Sequence, residues 1–193
     1  MTFEEWKTVV FYDHLEGTFR WREVTEKTFL DLGLSVPRWW RARYAMRAGD
    51  EAGHVDGGRV ILARFNSRIR AHKLAWYIGH GSEPPEYIDH INGDPTDNRL
   101  KNLREATHRQ NMCNRRPAVG CHSKFLGVEY CIKRKTFRAV IKSEYGVFRG
   151  KMTGSELEAA AIYNKIAPIL NGEFARLNCL ESPGKTYSAK GFV

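Results

Sequence analysis

The sequence IDHINGDPTDNRLKNLREATHRQN, residues 88–111, decides the fold at the centre of this chain. A short apolar strand ends in Asp89 and His90, a polar loop follows, and Thr107 begins a helix that carries Asn111. The run therefore combines a carboxylate, an imidazole and an amide. An imidazole can take a proton from water near neutral pH, and carboxylate and amide oxygens suit hard cations such as Mg²⁺ or Mn²⁺. This combination is typical of hydrolysis assisted by a metal ion.

Asp89 and His90 are neighbours in the predicted strand, which poses a geometric problem. Side chains alternate between the two faces of a strand, so regular pleating would direct these two apart. A strand end or a local distortion is therefore needed to bring both side chains to one site.

The run from Ile88 to Asn111 resembles the HNH endonuclease motif, in the His-Asn-Asn form common in phage and intron-borne enzymes. The resemblance implies that His90 is the general base and that Asp89 and Asn111 bind Mg²⁺ or Mn²⁺. It also implies a structural role for Asn102, the middle Asn of the motif, whose amide can tie the loop to the backbone. The implied partner is double-stranded DNA.

Other polar side chains in this region are weaker candidates. Three of them are candidates for a phosphate contact or a further ligand: His108, Arg104 and Arg109. The alternative for each is an ordinary solvated side chain, and for His108 that alternative is favoured. Three loop residues are expected to form turns rather than to bind metal: Asp94, Asp97 and Asn98. His72, which precedes the motif, is expected to be a packing residue.

The N-terminal part is predicted to be an α/β extension of the motif. Apolar residues recur with helical spacing over 3–14, and residues 72–80 also look helical. Residues 53–55 and 60–65 read as strands joined at Asp-Gly-Gly, a sequence that supports a tight turn. Residues 25–50 show the least clear secondary-structure pattern. The aromatic and cationic side chains of 36–43 are compatible with either an insertion or a binding loop.

The C-terminal part reads as three strands followed by one helix. The strands are predicted at 125–132, 136–142 and 145–149, separated by polar or Gly-bearing turns. The helix is predicted to begin after Ser155 with a capping box to Glu158. Pro168 lies inside the helix, where it removes a backbone donor, so a kink or an early end is expected.

Residues 123–178 resemble the Apetala-two (ethylene-response-factor) DNA-binding domain, most specifically in the ending GEFARLN at 172–178. The resemblance implies a three-stranded sheet that binds DNA. The positions beside the Gly-Val pair, where that family usually has Arg, hold Leu126 and Glu129. DNA contacts are therefore expected from other cations, which mostly bind phosphate. These cations are Lys133, Arg134, Lys135, Arg138, Lys142, Arg149 and Lys151.

The composition agrees with a polyanionic partner. The net charge is +9, and residues 116–193 carry 13 Lys and Arg against 6 Asp and Glu, a balance of +7. The four Cys residues form no Cys-x-x-Cys pair, so a zinc knuckle is not supported. No targeting leader and no apolar run long enough for a membrane span is found. We expect a cytoplasmic protein, encoded by a phage and present in a bacterial host, with a monomer slightly favoured.

The sequence thus predicts an α+β protein, with a ββα-metal nuclease core followed by a small three-stranded antiparallel sheet on one helix. The predicted divisions are a nuclease region at 1–115 (extension 1–80, motif about 84–115), a linker at 116–122, a DNA-binding domain at 123–180 and a tail at 181–193. The predicted function is metal-dependent DNA cleavage by a homing-type or phage enzyme, nicking one strand or cutting both. The alternatives are an inactive DNA-binding or regulatory protein and a non-specific nuclease.

Overall fold

The computed structural model describes residues 1–36, 47–114 and 122–182 and the backbone of 186–188. Its helices and strands are small and mixed along the chain, and its sheets are antiparallel, which confirms the predicted α+β class. In chain order the elements are α1 (Phe3–Val9), β1 (Val10–Asp13), β2 (Thr18–Trp21), α2 (Glu26–Asp31), β3 (His54–Asp56), β4 (Arg59–Arg64), β5 (Ser67–Arg70), α3 (Ala71–His80), β6 (Tyr87–His90), β7 (Leu103–Ala106), α4 (His108–Cys113), β8 (Val128–Cys131), β9 (Thr136–Ser143), β10 (Gly146–Arg149), α5 (Glu156–Asn171), β11 (Arg176–Asn178) and β12 (Thr186–Ser188).

The chain divides into two compact units. The first comprises Met1–His90 and Asp94–Arg104, and the second comprises Ile91–Gly93 and Glu105–Val193. Helix α4, predicted to belong with the nuclease region, is thus grouped with the C-terminal residues. Most of the predicted linker, at 115–121, lies outside the described residues. The domain limits drawn from the sequence stay a prediction.

In the first unit, the predicted helix over 3–14 is shorter than its apolar spacing indicates. Thr2 and Glu5 form a complete capping box at its start, and α1 ends at Val9. Val10 then begins β1, which pairs with β2 as a hairpin. Consecutive β-branched residues favour the strand, and pairing with β2 stabilises it at the expense of the helix.

The core of the first unit forms where α1, α3 and the sheet β3–β4–β5 meet. Trp6, Val9, Phe19, Leu62 and Leu74 are all buried in one cluster. The sheet confirms the predicted strands, and the turn between β3 and β4 has positive φ at both of its glycines. Such a turn matches the twist of the strands that it joins.

Residues 25–50, for which the sequence indicated no clear secondary structure, contain a short helix, α2. It begins at a capping box between Thr25 and Thr28. The predicted insertion or binding loop at 36–43 lies, from residue 37 onward, outside the described residues.

In the second unit, β8, β9 and β10 form an antiparallel sheet in the order β10–β9–β8, and α5 packs on β9. Ala139 and Ile141 of β9 meet Tyr163 and Ala167 of α5 in its core. This confirms the predicted architecture of three strands on one helix. Gly127 (φ 67°) lies against the Tyr163 ring, where a Cβ would overlap it.

Three sequence-based expectations for the second unit are corrected. Helix α5 continues through Pro168 to Asn171 rather than ending early. Its capping box is half formed: Ser155 accepts from the Glu158 backbone, while the Glu158 carboxylate pairs with Lys151. The predicted tail contains a strand, β12, that pairs with β11. No helix of the described residues is long and apolar enough to cross a membrane.

Candidate functional site

Strand β6 ends in two buried polar side chains, and the first of them is held by an arginine. Asp89 is 3% exposed, and its Oδ2 accepts hydrogen bonds from Arg104 Nε at 2.9 Å and Nη2 at 2.8 Å. Charge-assisted bonds of this kind orient a carboxylate and offset the cost of burying its charge. Arg104, a candidate phosphate contact in the sequence, is therefore a carboxylate partner in the structure.

His90 is also buried, with partners other than those of Asp89. Its ring meets the His72 ring edge-on, with 5.4 Å between centroids, and its Nε2 lies 3.4 Å from Asn98 Oδ1. Burial lowers the pKa of His90, and the Asn98 contact and the Asp89 charge oppose that effect. His90 is accordingly neutral near pH 7, the state in which an imidazole can accept a proton.

The contact with Asn98 selects one tautomer of His90. The Asn98 amide nitrogen donates to the Thr96 carbonyl at 3.0 Å, so its oxygen faces the imidazole. A carbonyl oxygen only accepts, so the imidazole proton lies on Nε2. The proton-accepting lone pair of neutral His90 is then on Nδ1.

Asn98 was predicted to form a turn, and the structure adds its contact with His90. It is 1% exposed, and its backbone carbonyl accepts from the Tyr12 hydroxyl at 2.7 Å. Burial raises the pKa of Tyr12 to about 12, which keeps that hydroxyl protonated. Gly17, in the β1–β2 turn, lies so close to Asn98 and Arg99 that a Cβ would overlap their backbone. The N-terminal hairpin thus supports the loop that orients His90.

Asn102 makes a contact of the kind expected of a structural Asn. Its side-chain amide donates to the Asp97 carbonyl at 2.8 Å, and the residue is buried. This bond closes the base of the loop between β6 and β7. Asp94 stabilises the other part of the loop by accepting from the Thr96 backbone and hydroxyl.

Helix α4 begins as predicted, because Thr107 and Gln110 form a complete capping box. Asn111 is half-buried on this helix, while His108 and Arg109 are exposed. His108 and Arg109 line a cavity of about 740 Å³ within the second unit. The roles of these three residues stay predictions.

Comparison with known proteins identifies the region that has just been described. A family model described as HNH endonuclease matches residues 70–113, which run from the end of β5 to the end of α4. Protein 3.8 of Escherichia phage T7 is 30% identical to the chain over 119 residues, which are 61% of this chain and 98% of that protein. The chain belongs to the family of phage T7 Protein 3.8 and contains an HNH endonuclease domain. No solved structure matches it significantly.

HNH endonucleases cleave DNA and generally use a divalent metal ion. The side chains of this HNH domain can therefore be compared with the ligands that such an ion needs. Among residues 1–36, 47–114 and 122–182, no group of three or more His, Cys, Asp or Glu could hold a metal ion. Within these ranges, a site of the zinc type, with several such ligands, is therefore not formed. A cation like Mg²⁺ fits better, because it keeps several waters and needs only one or two protein oxygens besides the substrate phosphate. Asp89 offers a carboxylate that Arg104 orients, and its role as a ligand stays a prediction.

The predicted DNA-binding cations of the second unit fall into two groups. In the register of the sheet, Arg138 pairs with Glu129, Val140 with Arg149 and Lys142 with Val147. Alternation along β9 places Ala139 and Ile141 in the core, and therefore Arg138, Lys142 and Arg149 on the opposite face. We call these three the sheet-face cations. The others lie in connecting segments: Lys133, Arg134, Lys135 and Lys151.

Some of these cations have carboxylate partners that the sequence did not indicate. Arg138 pairs with Glu129 at 2.6 Å, and Lys151 pairs with Glu158 at 3.1 Å. Both pairs are partly solvated, so each contributes little to stability. The resemblance of residues 123–180 to an Apetala-two domain lies outside the matched HNH region and stays a prediction.

The burial of His72 predicts lower stability in acid. Burial lowers the pKa of His72 from 6.5 to about 3, and the charges of His90, Arg59, Arg70 and Lys73 act in the same direction. Between these two pH values the unfolded chain binds a proton that the folded chain does not. The free energy of unfolding should therefore fall as pH falls through this window.

We expect His72→Gln to show a shallower pH dependence, measured by urea unfolding at a series of pH values. The matched control is His54→Gln, which replaces an exposed histidine in the same unit. Equal slopes for His72→Gln and the parent protein would contradict this account of His72.

Proposed function

We propose that the protein is a metal-dependent DNA endonuclease of the phage or homing type, directed to its sites by its basic C-terminal sheet. The observation that carries the proposal is the end of β6, within the matched HNH region. There a buried, neutral His90 is oriented by Asn98, next in the chain to a carboxylate oriented by Arg104. A base and an oxygen ligand are the two groups that hydrolysis by a metal nuclease needs from the protein.

In the proposed mechanism, His90 Nδ1 takes a proton from a water molecule, and the water oxygen forms a bond to phosphorus. The bond from phosphorus to the leaving sugar oxygen breaks, and that oxygen takes up a proton from solvent. The Asn98 carbonyl oxygen keeps its hydrogen bond to Nε2, so the ring holds its orientation while it is charged. The adjacent Asp89 charge favours the imidazolium. His90 then releases its proton to solvent.

Asp89 and Asn111 would hold the cation, which is Mg²⁺ or Mn²⁺ in this proposal. When bound, such a cation supplies positive charge to the scissile phosphate and its leaving oxygen. Arg104 orients Asp89 through its two hydrogen bonds and is not itself proposed as a ligand. Asn102 is proposed to hold the loop and Arg109 to lie near phosphate, while His108 is proposed to be a solvated surface side chain. The support for Asn111 is its place in the motif.

A cleavage assay on supercoiled plasmid and on random-library DNA tests this function. Cleavage in Mg²⁺ or Mn²⁺ that stops on addition of a chelator is the expected result, with a His90→Ala preparation excluding a contaminating nuclease. Discrete cleavage ends would support a site-directed enzyme, and conversion only to the relaxed form would show nicking. Degradation to short fragments would instead mean a non-specific nuclease. Tight DNA binding without cleavage in either metal would mean an inactive DNA-binding protein.

The sheet-face cations are expected to contribute to DNA affinity through phosphate contacts. The variant Arg138→Ala/Lys142→Ala/Arg149→Ala should bind DNA more weakly than the parent protein. Its plot of log affinity against log salt should also be shallower, by about 0.9 for each lost phosphate contact. The measurement is a titration of labelled duplex DNA at several salt concentrations in the presence of a chelator.

A control with the same loss of charge separates a local effect from a general one. Lys7, Lys27 and Lys165 are exposed and lie on helices rather than in the sheet, so Lys7→Ala/Lys27→Ala/Lys165→Ala is suitable. Equal salt slopes for the two triple variants would show that the sheet face is not a DNA-binding surface.

A further inference from the structure

Arg176 lies in β11, far along the chain from the HNH motif, yet it is almost completely buried, with 3% exposed. Its Nη1 donates to the backbone carbonyl and to the side-chain oxygen of Asn114, both at 3.3 Å. Its Nη2 donates to the Asn92 carbonyl at 3.1 Å. One guanidinium thus binds two separate segments of the second unit.

The two segments are the flanks of the proposed catalytic residues. Asn92 follows His90 by two positions, and Asn114 caps the C-terminus of helix α4, three positions after Asn111. Asn114 also donates to the Ile91 carbonyl at 3.5 Å, so the segments contact each other as well as Arg176. Because Ile91 is bonded directly to His90, displacement of this segment would be transmitted to the base.

The backbone at 91–93 is shaped to receive the guanidinium. Gly93 has a φ of 65°, and a Cβ there would overlap Arg176 Nη1. Only glycine tolerates both that conformation and that approach without strain. Carbonyl groups of irregular buried backbone need donors, and the rigid fork of Arg supplies several from one side chain.

We propose that Arg176 is a positioning residue for the nuclease, which holds the segment after His90 against the end of the helix that carries Asn111. The inference rests on the proposed function for its catalytic meaning. It gives Arg176, which lies beyond the matched HNH region, a part in positioning the segment that follows His90, besides any part in DNA binding. The isolated nuclease region at 1–115 would lack this residue and should therefore be a poor enzyme.

The test compares Arg176→Ala and Arg176→Lys in the full-length chain. Catalytic rates respond steeply to small displacements of reacting groups, by about 100-fold for 1 Å. We expect Arg176→Ala to lower the single-turnover cleavage rate by roughly 10- to 100-fold on this basis. The Mg²⁺ concentration for half-maximal rate should rise, while the Kd for DNA measured with a chelator stays the same. Arg176→Lys keeps the charge and a single donor group, so it should recover part of the rate.

Asn178→Ala is the matched control for a general loss of stability. Asn178 is fully buried two residues further along β11, and its side chain bonds to the Leu126 backbone. It should lower Tm without changing the rate per folded molecule or the metal requirement. If Arg176→Ala does not fold, Asn114→Ala removes the other partner of the same contact and should show a smaller loss of the same kind.

Hydrogen exchange of the amides at 91–93 and 108–114 provides a readout that does not need cleavage. Faster exchange in Arg176→Ala but not in Asn178→Ala would support the positioning role even if the parent protein proved inactive. An inactive parent protein would then refute the proposed function alone. The inference would be overturned if a folded Arg176→Ala variant had the same cleavage rate, the same metal requirement and the same hydrogen exchange as the parent protein. It would also be overturned if Asn178→Ala lost as much cleavage rate as Arg176→Ala.

Discussion

His90→Ala is expected to remove DNA cleavage while leaving DNA affinity almost unchanged. Loss of a general base typically lowers the rate by about 100- to 10,000-fold. DNA affinity should persist because the proposed DNA contacts are made by the basic surface, including the sheet-face cations, and not by a buried imidazole. The measurement is the single-turnover cleavage rate, with the Kd for the same DNA determined in a chelator.

The variant Asn98→Ala distinguishes the effect of losing the imidazole from the effect of losing the contact that orients it. It removes the oxygen that accepts from His90 Nε2 and leaves the imidazole in place. We expect a rate between those of His90→Ala and the parent protein. Cleavage by a folded His90→Ala variant at the parental rate would show that the base is assigned wrongly.

Asp89→Asn and Asn111→Ala are expected to produce the second large effect, on metal dependence. Each change weakens or removes a proposed oxygen ligand, so the rate should fall and the half-maximal Mg²⁺ concentration should rise. Changes around metal ligands commonly cost about 10- to 100-fold in metal affinity or activity, and loss of a ligand should cost at least that. Asp89→Asn is preferable to Asp89→Ala because it keeps an oxygen and the side-chain shape beside the buried Arg104.

The control for these variants is His108→Ala, on the same helix as Asn111 and one full turn before it. His108 is exposed, and its replacement should have a much smaller effect on the metal titration. A loss as large as that of Asn111→Ala would make His108 a ligand. Unchanged titration curves for both Asp89→Asn and Asn111→Ala would place the metal elsewhere.

Much of the local structure was predictable, because it depends on neighbours in the chain. The capping box at Thr107 and the glycine turn at 57–58 were readable in this way. So were the strands of the sheet β8–β9–β10 and the helix that packs on it. Where local signals competed, the prediction failed: α1 ends at Val9 because pairing with β2 stabilises a strand from Val10 onward.

The candidate site was predictable only in part. Asp89 and His90 stand in a recognisable motif, and their positions at the end of a strand followed from it. The partners that orient them carry no such signal. Arg104 was predicted as a possible phosphate contact or ligand, Asn98 as a turn residue and His72 as a packing residue. Nothing in the local sequence indicates the contacts that these three make with the two motif residues.

The residues that support the site come from distant parts of the chain. Tyr12 reaches Asn98 across 86 positions, and Arg176 reaches Asn92 across 84. Local sequence specified the strands, turns and caps, because propensity and hydrogen bonding act over a few residues. It also indicated the candidate reactive groups, through the motif. The orientation of those groups depends on buried contacts that exist only after the chain has folded, when desolvation makes an unpaired polar group costly. The tertiary fold therefore determines the tautomer and the pKa of His90 and the hydrogen bonds of Arg176.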